Sequence, residues 1–315
     1  LFRSSPPPQG RTGTALEITR ARAGWRYVHF AIRHVAAARP WASSTRGEEC
    51  CLVLLRGVCR VAYTTDEGPQ TAVLGPRRDV FTDYPHALYL PRRTTFRVTA
   101  DRDSELADGR APSRARSAAR LIQPADCGCE VRGGGNATRQ IVDIMPPAFP
   151  ADRLLVCEVF TPSGNWSSYP PHKHDTDRPP GEVKLEEIYY YRFENAAWSV
   201  RSSGDAKGKV SRRGAAGAEA DAYGFQRLYD KRRDETLTVR HGDVVLIRHG
   251  YHPFVAAYGY NAYYLNVLAG TRRSMAASDD PRYAAFRAWP PPDARVPLVT
   301  PPQAAVRRAG LSARL

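Results

Sequence analysis

His172 and His174 stand two residues apart in Pro170-Pro171-His172-Lys173-His174-Asp175. In an extended strand, positions i and i+2 share a face and lie roughly 6.5–7 Å apart along it. Both imidazoles can therefore aim at one point while Lys173 points the other way. Glu187 follows thirteen residues after His174 and opens a strand pattern in which it shares a face with Tyr189 and Tyr191. Glu186 falls on the opposite face, where a solvated carboxylate is the expectation. A Gly-Asp turn at 242–243, an apolar strand and a glycine turn at 250 then return His252 toward the same interior. Three imidazoles and one carboxylate suit one first-row divalent ion, with coordination positions left for substrate oxygens or water. Zinc comes first, with iron, manganese or nickel as alternatives. Each histidine alone reads more readily as structural; the set points to a metal.

Such residues need rigid walls, and the chain supplies β-strands. Helical periodicity is scarce, while short β-rich runs recur at 25–35, 51–63, 87–90, 95–99, 154–161, 187–193, 198–201, 236–239, 244–247 and 262–268. Short strands at near-regular spacing, bounded by Gly, Pro and Asp, describe a sandwich or barrel. The two halves echo each other. Glu48-Glu49 before an apolar run resembles Glu186-Glu187 before another, and the stretch from His86 to Ala100 runs parallel to that from Asp243 to Ala257. A duplicated β-barrel is the economical explanation. In this register Thr95 falls opposite His252, so the first half is expected to be metal-free. The divisions read as a flexible tail at 1–14, a first barrel at 15–105, a linker at 106–137, a second, catalytic barrel at 138–299, and a flexible tail at 300–315.

Composition narrows the function classes. The 315 residues are 42% hydrophobic and 25% charged, which is ordinary for a globular protein. Forty-six basic less thirty-two acidic residues leave +14, and only five of the basic residues are lysine. The arginines are scattered in pairs such as Arg77-Arg78 and Arg92-Arg93 with no long basic block. That distribution argues against a nucleic-acid partner. No run approaches the roughly 20 apolar residues of a membrane span, and residues 1–8 hold no apolar core of signal-peptide length. Six cysteines without zinc-ribbon spacing behave as reduced thiols. The expectation is a cytoplasmic protein with no membrane and no nucleic-acid partner.

The His-x-His, Glu and Gly-x-His pattern resembles the two cupin motifs, and its doubling resembles a bicupin. More narrowly, the chain resembles the 5-deoxy-glucuronate isomerase family of bacterial inositol catabolism. The stretches that carry this include Arg139-Gln140-Ile-Val-Asp-Ile-Met145, Gly164-Asn-Trp-Ser-Ser-Tyr-Pro-Pro-His-Lys-His-Asp175 and Glu186-Glu-Ile-Tyr-Tyr-Tyr-Arg-Phe193. They continue with Gly224-Phe-Gln-Arg-Leu-Tyr229, Gly250-Tyr-His-Pro253 and Tyr263-Tyr-Leu-Asn-Val-Leu-Ala-Gly270. The resemblance spans about residues 24–299. It implies an all-β bicupin, two tandem double-stranded β-helix (jelly-roll) barrels with few short helices. It also implies conversion of 5-deoxy-D-glucuronate to 2-deoxy-5-keto-D-gluconate, an aldose-to-ketose proton shift assisted by the metal.

That reaction asks for further groups. Glu187 and Tyr251 are the first candidates for proton transfer, with Tyr189, Tyr263 and Tyr264 also open. The substrate's carboxylate favours an arginine, Arg227 first and Arg273 second, and Tyr264 and Asn266 are candidates to hold hydroxyls. The partner expected is a small sugar acid, and a homo-oligomer would be unsurprising. Rival readings are a sugar-acid cupin with another role, epimerase or regulatory, and an Arg-rich nucleic-acid binder.

Overall fold

The computed structural model describes residues 1–5, 10–196, 221–288 and 291–302. The strand expected at 198–201 lies outside the described residues, as does most of the tail at 300–315. Within them the protein is built of strands. A one-turn α-helix, Arg20–Ala23, is capped by Thr19 and ended by Gly24 at φ 66°. No helix among the described residues is long and apolar enough to cross a membrane.

The first barrel is organised around Glu48–Thr65, an 18-residue strand that belongs to both of its walls. Its first half pairs with His86–Leu90 and Ser104–Pro112. Its second half pairs with Gly68–Arg77 and Thr95–Ala100. The second barrel has a seven-stranded wall in which Leu185–Asn195 and Tyr260–Gly270 lie side by side over eleven residue pairs. Its other wall is Trp166–Ser167, Phe254–Ala256, Tyr223–Tyr229 and Asp234–Arg240.

Strand alternation divides these side chains between separate cores. Along Leu185–Asn195, Ile188 and Tyr190 join a large cluster with Phe30, Val53 and Ala107 of the first half. Tyr189, Tyr191 and Phe193 instead fill the second barrel together with Ile141, Val159 and Phe254. A sheet buried on both faces reads as nearly continuous apolar sequence, as these strands do. The wide walls of the two barrels therefore pack face to face. At Gly109 a side-chain carbon would lie 3.0 Å from Val267 of the opposite wall.

Two expectations are corrected here. The segment 106–137 is not a bare linker, since Ser104–Pro112 is a central strand between His29–Val35 and Glu48–Thr65. Arg120–Ile122 and Gly128–Arg132 pair as well, one with each barrel. The stretch reads as polar because of Asp108 and Arg110, yet these charges neutralise each other at 2.7 Å inside the barrel. The tail at 1–14 is likewise partly structured. Phe2–Arg3 pairs with Asp243 and Val244, and Gly13–Ile18 is already a strand.

Glu186 is a third correction, because it is not simply solvated. Its carboxylate accepts the backbone N–H groups of Arg26, Tyr27 and Val28 at 2.7–2.9 Å. Glu49 does the same for Asp152, Arg153 and Leu154 at 2.6–2.8 Å. Each half thus holds a backbone bend of the other. The halves therefore align Glu49 with Glu186, one residue away from the echo read in the sequence, and Cys50 occupies the place of Glu187. Consistently, Glu49 lies opposite Ala111 and Glu186 opposite Ala269. Glu186→Ala is expected to lower unfolding free energy by about 3 kcal/mol, given three hydrogen bonds to one charged acceptor. Urea titration reads this, and a change below about 1 kcal/mol would show that the carboxylate contributes little.

Candidate metal centre

The two-residue strand His172–Lys173 pairs with Ser278–Asp279 at the mouth of the second barrel. Lys173 turns outward to Asp175 and Glu182, so His172 and His174 face inward as the spacing predicts. Glu187 descends from the wide wall, opposite Leu268 and Ile247. His252 arrives from the turn at Gly250, where φ is 81° and a side-chain carbon would meet the Tyr229 carbonyl oxygen at 2.5 Å. Glycine is required there.

Three of the four expected ligands converge. One donor atom each from His174, Glu187 and His252 lies within 4.8 Å of the others, and all three residues are buried. His172 stands beside them, its ring 4.8 Å from that of His252 and 6.4 Å from that of His174, outside this tightest set.

The orientation of the rings is the informative feature. His174 Nδ1 lies 3.2 Å from the Leu185 carbonyl oxygen, His252 Nδ1 3.1 Å from that of Gly250, and His172 Nδ1 3.4 Å from that of Pro170. A carbonyl can only accept, so each Nδ1 carries the proton and each Nε2 offers a lone pair. His174 Nε2 nevertheless sits 2.8 Å from Glu187 Oε2, an approach that needs a proton or a cation between them. His252 Nε2 is 3.5 Å from the same oxygen, buried and without a hydrogen bond. Backbone carbonyls holding one ring nitrogen so that the other can ligate is the usual support of a histidine metal site. The residues fit a divalent cation.

Electrostatics agree for His172 and His252. Burial, and then neighbouring His174, pushes His172 down to about 3. Burial together with His172 does the same to His252. Both are neutral at physiological pH. Burial alone would lower His174 too, but the Glu187 carboxylate reverses the shift and raises it.

The other expected residues are placed unevenly. Tyr264 stacks on Tyr189 with centroids 4.5 Å apart, and Tyr189 meets the His252 ring edge-on. Their hydroxyls bond Ser167 and Ser168 respectively. Asn266 faces the same interior, but its amide donates to the Ile188 carbonyl oxygen. Tyr251 leaves the centre. Alternation from His252 turns it to the outside, where it packs on Tyr229. Tyr263 donates to Glu158 in the core between the barrels. Arg273 is spent on the backbone carbonyls of Leu154, Pro147, Phe149 and Pro146. Arg227 lines a cavity of about 410 Å³ whose wall includes Pro171 and Pro253, the neighbours of His172 and His252. Its guanidinium, however, is held by Asp234 through both Nε and Nη2.

Sequence reasoning missed three inward-facing groups. Gln226 is buried, donates to the His252 carbonyl oxygen at 2.6 Å and accepts from Tyr191. It lies next to Arg227, in the right stretch but on the other face. Arg139 and Asp143 share the inward face of Ile141 on Arg139–Met145. The period-two rhythm of that strand was a signal for both.

Two tandem β-barrels packed wall to wall, one holding a histidine–carboxylate cluster, define a bicupin. Solved oxalate decarboxylases share this fold; that of Lactobacillus farciminis superposes with a TM-score of 0.58 at 11% identity, over 90% of this chain and 89% of the other. The chain belongs to the KduI/IolB family, whose pattern matches residues 2–286. It is similar to an IolB-like protein of Salmonella typhimurium at 33% identity and a TM-score of 0.76, covering 88% of this chain and 97% of that one. It is also similar to the 5-deoxy-glucuronate isomerase of Geobacillus kaustophilus, at 40% identity over 85% of this chain and 89% of the relative. That of Bacillus subtilis strain 168 is 34% identical over 85% and 90%.

Proposed function

We propose that the protein is a metal-dependent isomerase that converts 5-deoxy-D-glucuronate to 2-deoxy-5-keto-D-gluconate in inositol breakdown. The observation that carries this is the convergence of lone-pair-bearing Nε2 atoms on Glu187, in a chain whose relatives bear that activity in their names. His174, Glu187 and His252 hold the metal, with His172 as fourth ligand; zinc is the first choice, then iron, manganese or nickel. Such a cation supplies Lewis acidity toward the aldehyde oxygen and the adjacent hydroxyl. Six free thiols suit the reducing cytoplasm.

The reaction moves a proton from C2 of the sugar to C1 and another from the C2 hydroxyl to the aldehyde oxygen. Burial pushes Tyr264 up to about 12 and raises Tyr189 as well, so both phenols stay protonated and donate toward oxygens that gain charge. Glu187 is tied to two imidazoles. Asp143 faces the same interior, opposite Cys157 on the next strand, and has no hydrogen bond or ion pair among the described residues. Burial raises its pKa, which suits a proton acceptor. We assign it the C2 proton.

The test is loss of the aldehyde of 5-deoxy-glucuronate, followed with metal content. Asp143→Asn is expected to lower kcat by roughly 100-fold or more at unchanged metal content. Metal-loaded protein that binds the sugar acid without isomerising it would make this a binding cupin and sink the proposal.

A further inference from the structure

Among the described arginines that are buried, Arg139 is the exception. Arg77 and Arg192 each sit on a glutamate and Arg110 on Asp108. Arg139 is only 5% exposed, and among the described residues no carboxylate oxygen lies within 4.0 Å of it. Its hydrogen bonds both use Nη1, to the carbonyl oxygens of Tyr169 at 2.8 Å and Ala137 at 3.2 Å. The Nε–Nη2 edge makes none among the described residues, and neither atom is sealed from solvent. That edge is the pair of parallel donors that matches a carboxylate.

Its position is equally specific. Ser167 meets the Tyr264 hydroxyl, Ser168 meets that of Tyr189, Tyr169 receives Arg139, and His172 follows three residues later. One six-residue segment thus gathers the phenols, the guanidinium and the first histidine. Arg139 and Tyr264 lie close enough for each to feel the other's charge, and Arg139 is itself desolvated. Burial lowers its own pKa to about 10, and it remains a cation at neutral pH. A buried cation without a counter-ion is costly. It is a natural place for the charge to be completed by a ligand.

We propose that Arg139 grips the carboxylate of the sugar acid through Nε and Nη2, holding the far end of the substrate while its aldehyde end lies at the histidine cluster. This rests on the isomerase reading above. It replaces Arg227 and Arg273, whose donors are committed elsewhere.

The experiment compares wild type with Arg139→Gln and Arg139→Lys, using 5-deoxy-glucuronate and the neutral 5-deoxyhexose that carries a hydroxymethyl group in place of the carboxylate. Arg139→Gln is expected to raise KM for the acid roughly 10- to 100-fold. Metal content and KM for the neutral sugar should not change, and kcat should move little. Arg139→Lys, which keeps the charge but loses the parallel donors, should fall between. If acid and neutral sugar weaken equally, or neither variant that folds changes KM for the acid, the clamp is wrong while the isomerase stands. If wild type binds the acid by calorimetry without turning it over, and the variants bind it weakly, the isomerase fails and the clamp stands. Equal calorimetric affinities in wild type and variants overturn the clamp; no binding to wild type overturns both.

Discussion

His252→Ala should yield a folded protein that retains almost no metal and turns over more than about 1000-fold slower. The ring is completely buried, its Nδ1 is held by the Gly250 carbonyl oxygen, and its Nε2 has no partner but the centre itself. Its removal takes away a ligand and leaves a space beside Glu187. Even residues that only support a ligand change metal affinity by about 10- to 100-fold, and a ligand should exceed that. The fold should survive, because the ring contributes neither an ion pair in the core nor a strand hydrogen bond. Elemental analysis, turnover and thermal unfolding together decide it. A variant with a full complement of metal and normal turnover would remove the centre from the chemistry.

Glu158→Ala carries the largest expected effect on stability. Both its oxygens receive Arg77, at 2.8 Å each, and both side chains are fully buried. Tyr263 donates to the same carboxylate, while Arg77 also donates to the carbonyl oxygens of Leu54 and Asp83. Arg77 comes from the first half and Glu158 from the second, so the pair sits where the barrels meet. Removing one partner leaves a charge stranded in an apolar core, which costs about 3–5 kcal/mol. The double replacement Arg77→Met with Glu158→Leu should recover much of that loss, since it removes both charges at once. Denaturant unfolding of Arg77→Met, Glu158→Leu and the double variant closes the cycle. A single variant weaker by less than about 1 kcal/mol would mean that water reaches the pair.

The centre was legible because period-two arithmetic needs no knowledge of the fold. His172 and His174 must share a face, and Glu187 must share one with Tyr189. What that arithmetic cannot supply is which face looks into the barrel when both are buried. Ile188 and Tyr189 are equally apolar and equally hidden, yet one faces the other barrel and the other faces His252. The same ambiguity explains Tyr263 against Tyr264, Gln226 against Arg227, and Tyr251 beside His252. The strand Ser104–Pro112 was obscured differently, by charges that cancel only when Asp108, Arg110 and Arg33 are brought together. Arg273 shows a third limit. An arginine satisfied by backbone carbonyls has no partner that a sequence can display.

The exchange of carboxylates between Glu49 and Glu186 also bears on how the protein is made. The amides of residues 26–28 emerge from the ribosome early, but Glu186 lies 158–160 positions downstream. At ordinary rates of synthesis that is a wait of roughly 8 to 30 s. During it, the first half has its wide apolar wall uncovered and the bend at residues 26–28 untied. The nascent chain is therefore most exposed to chaperones and proteases in that interval, and its early half becomes secure only when the later half arrives.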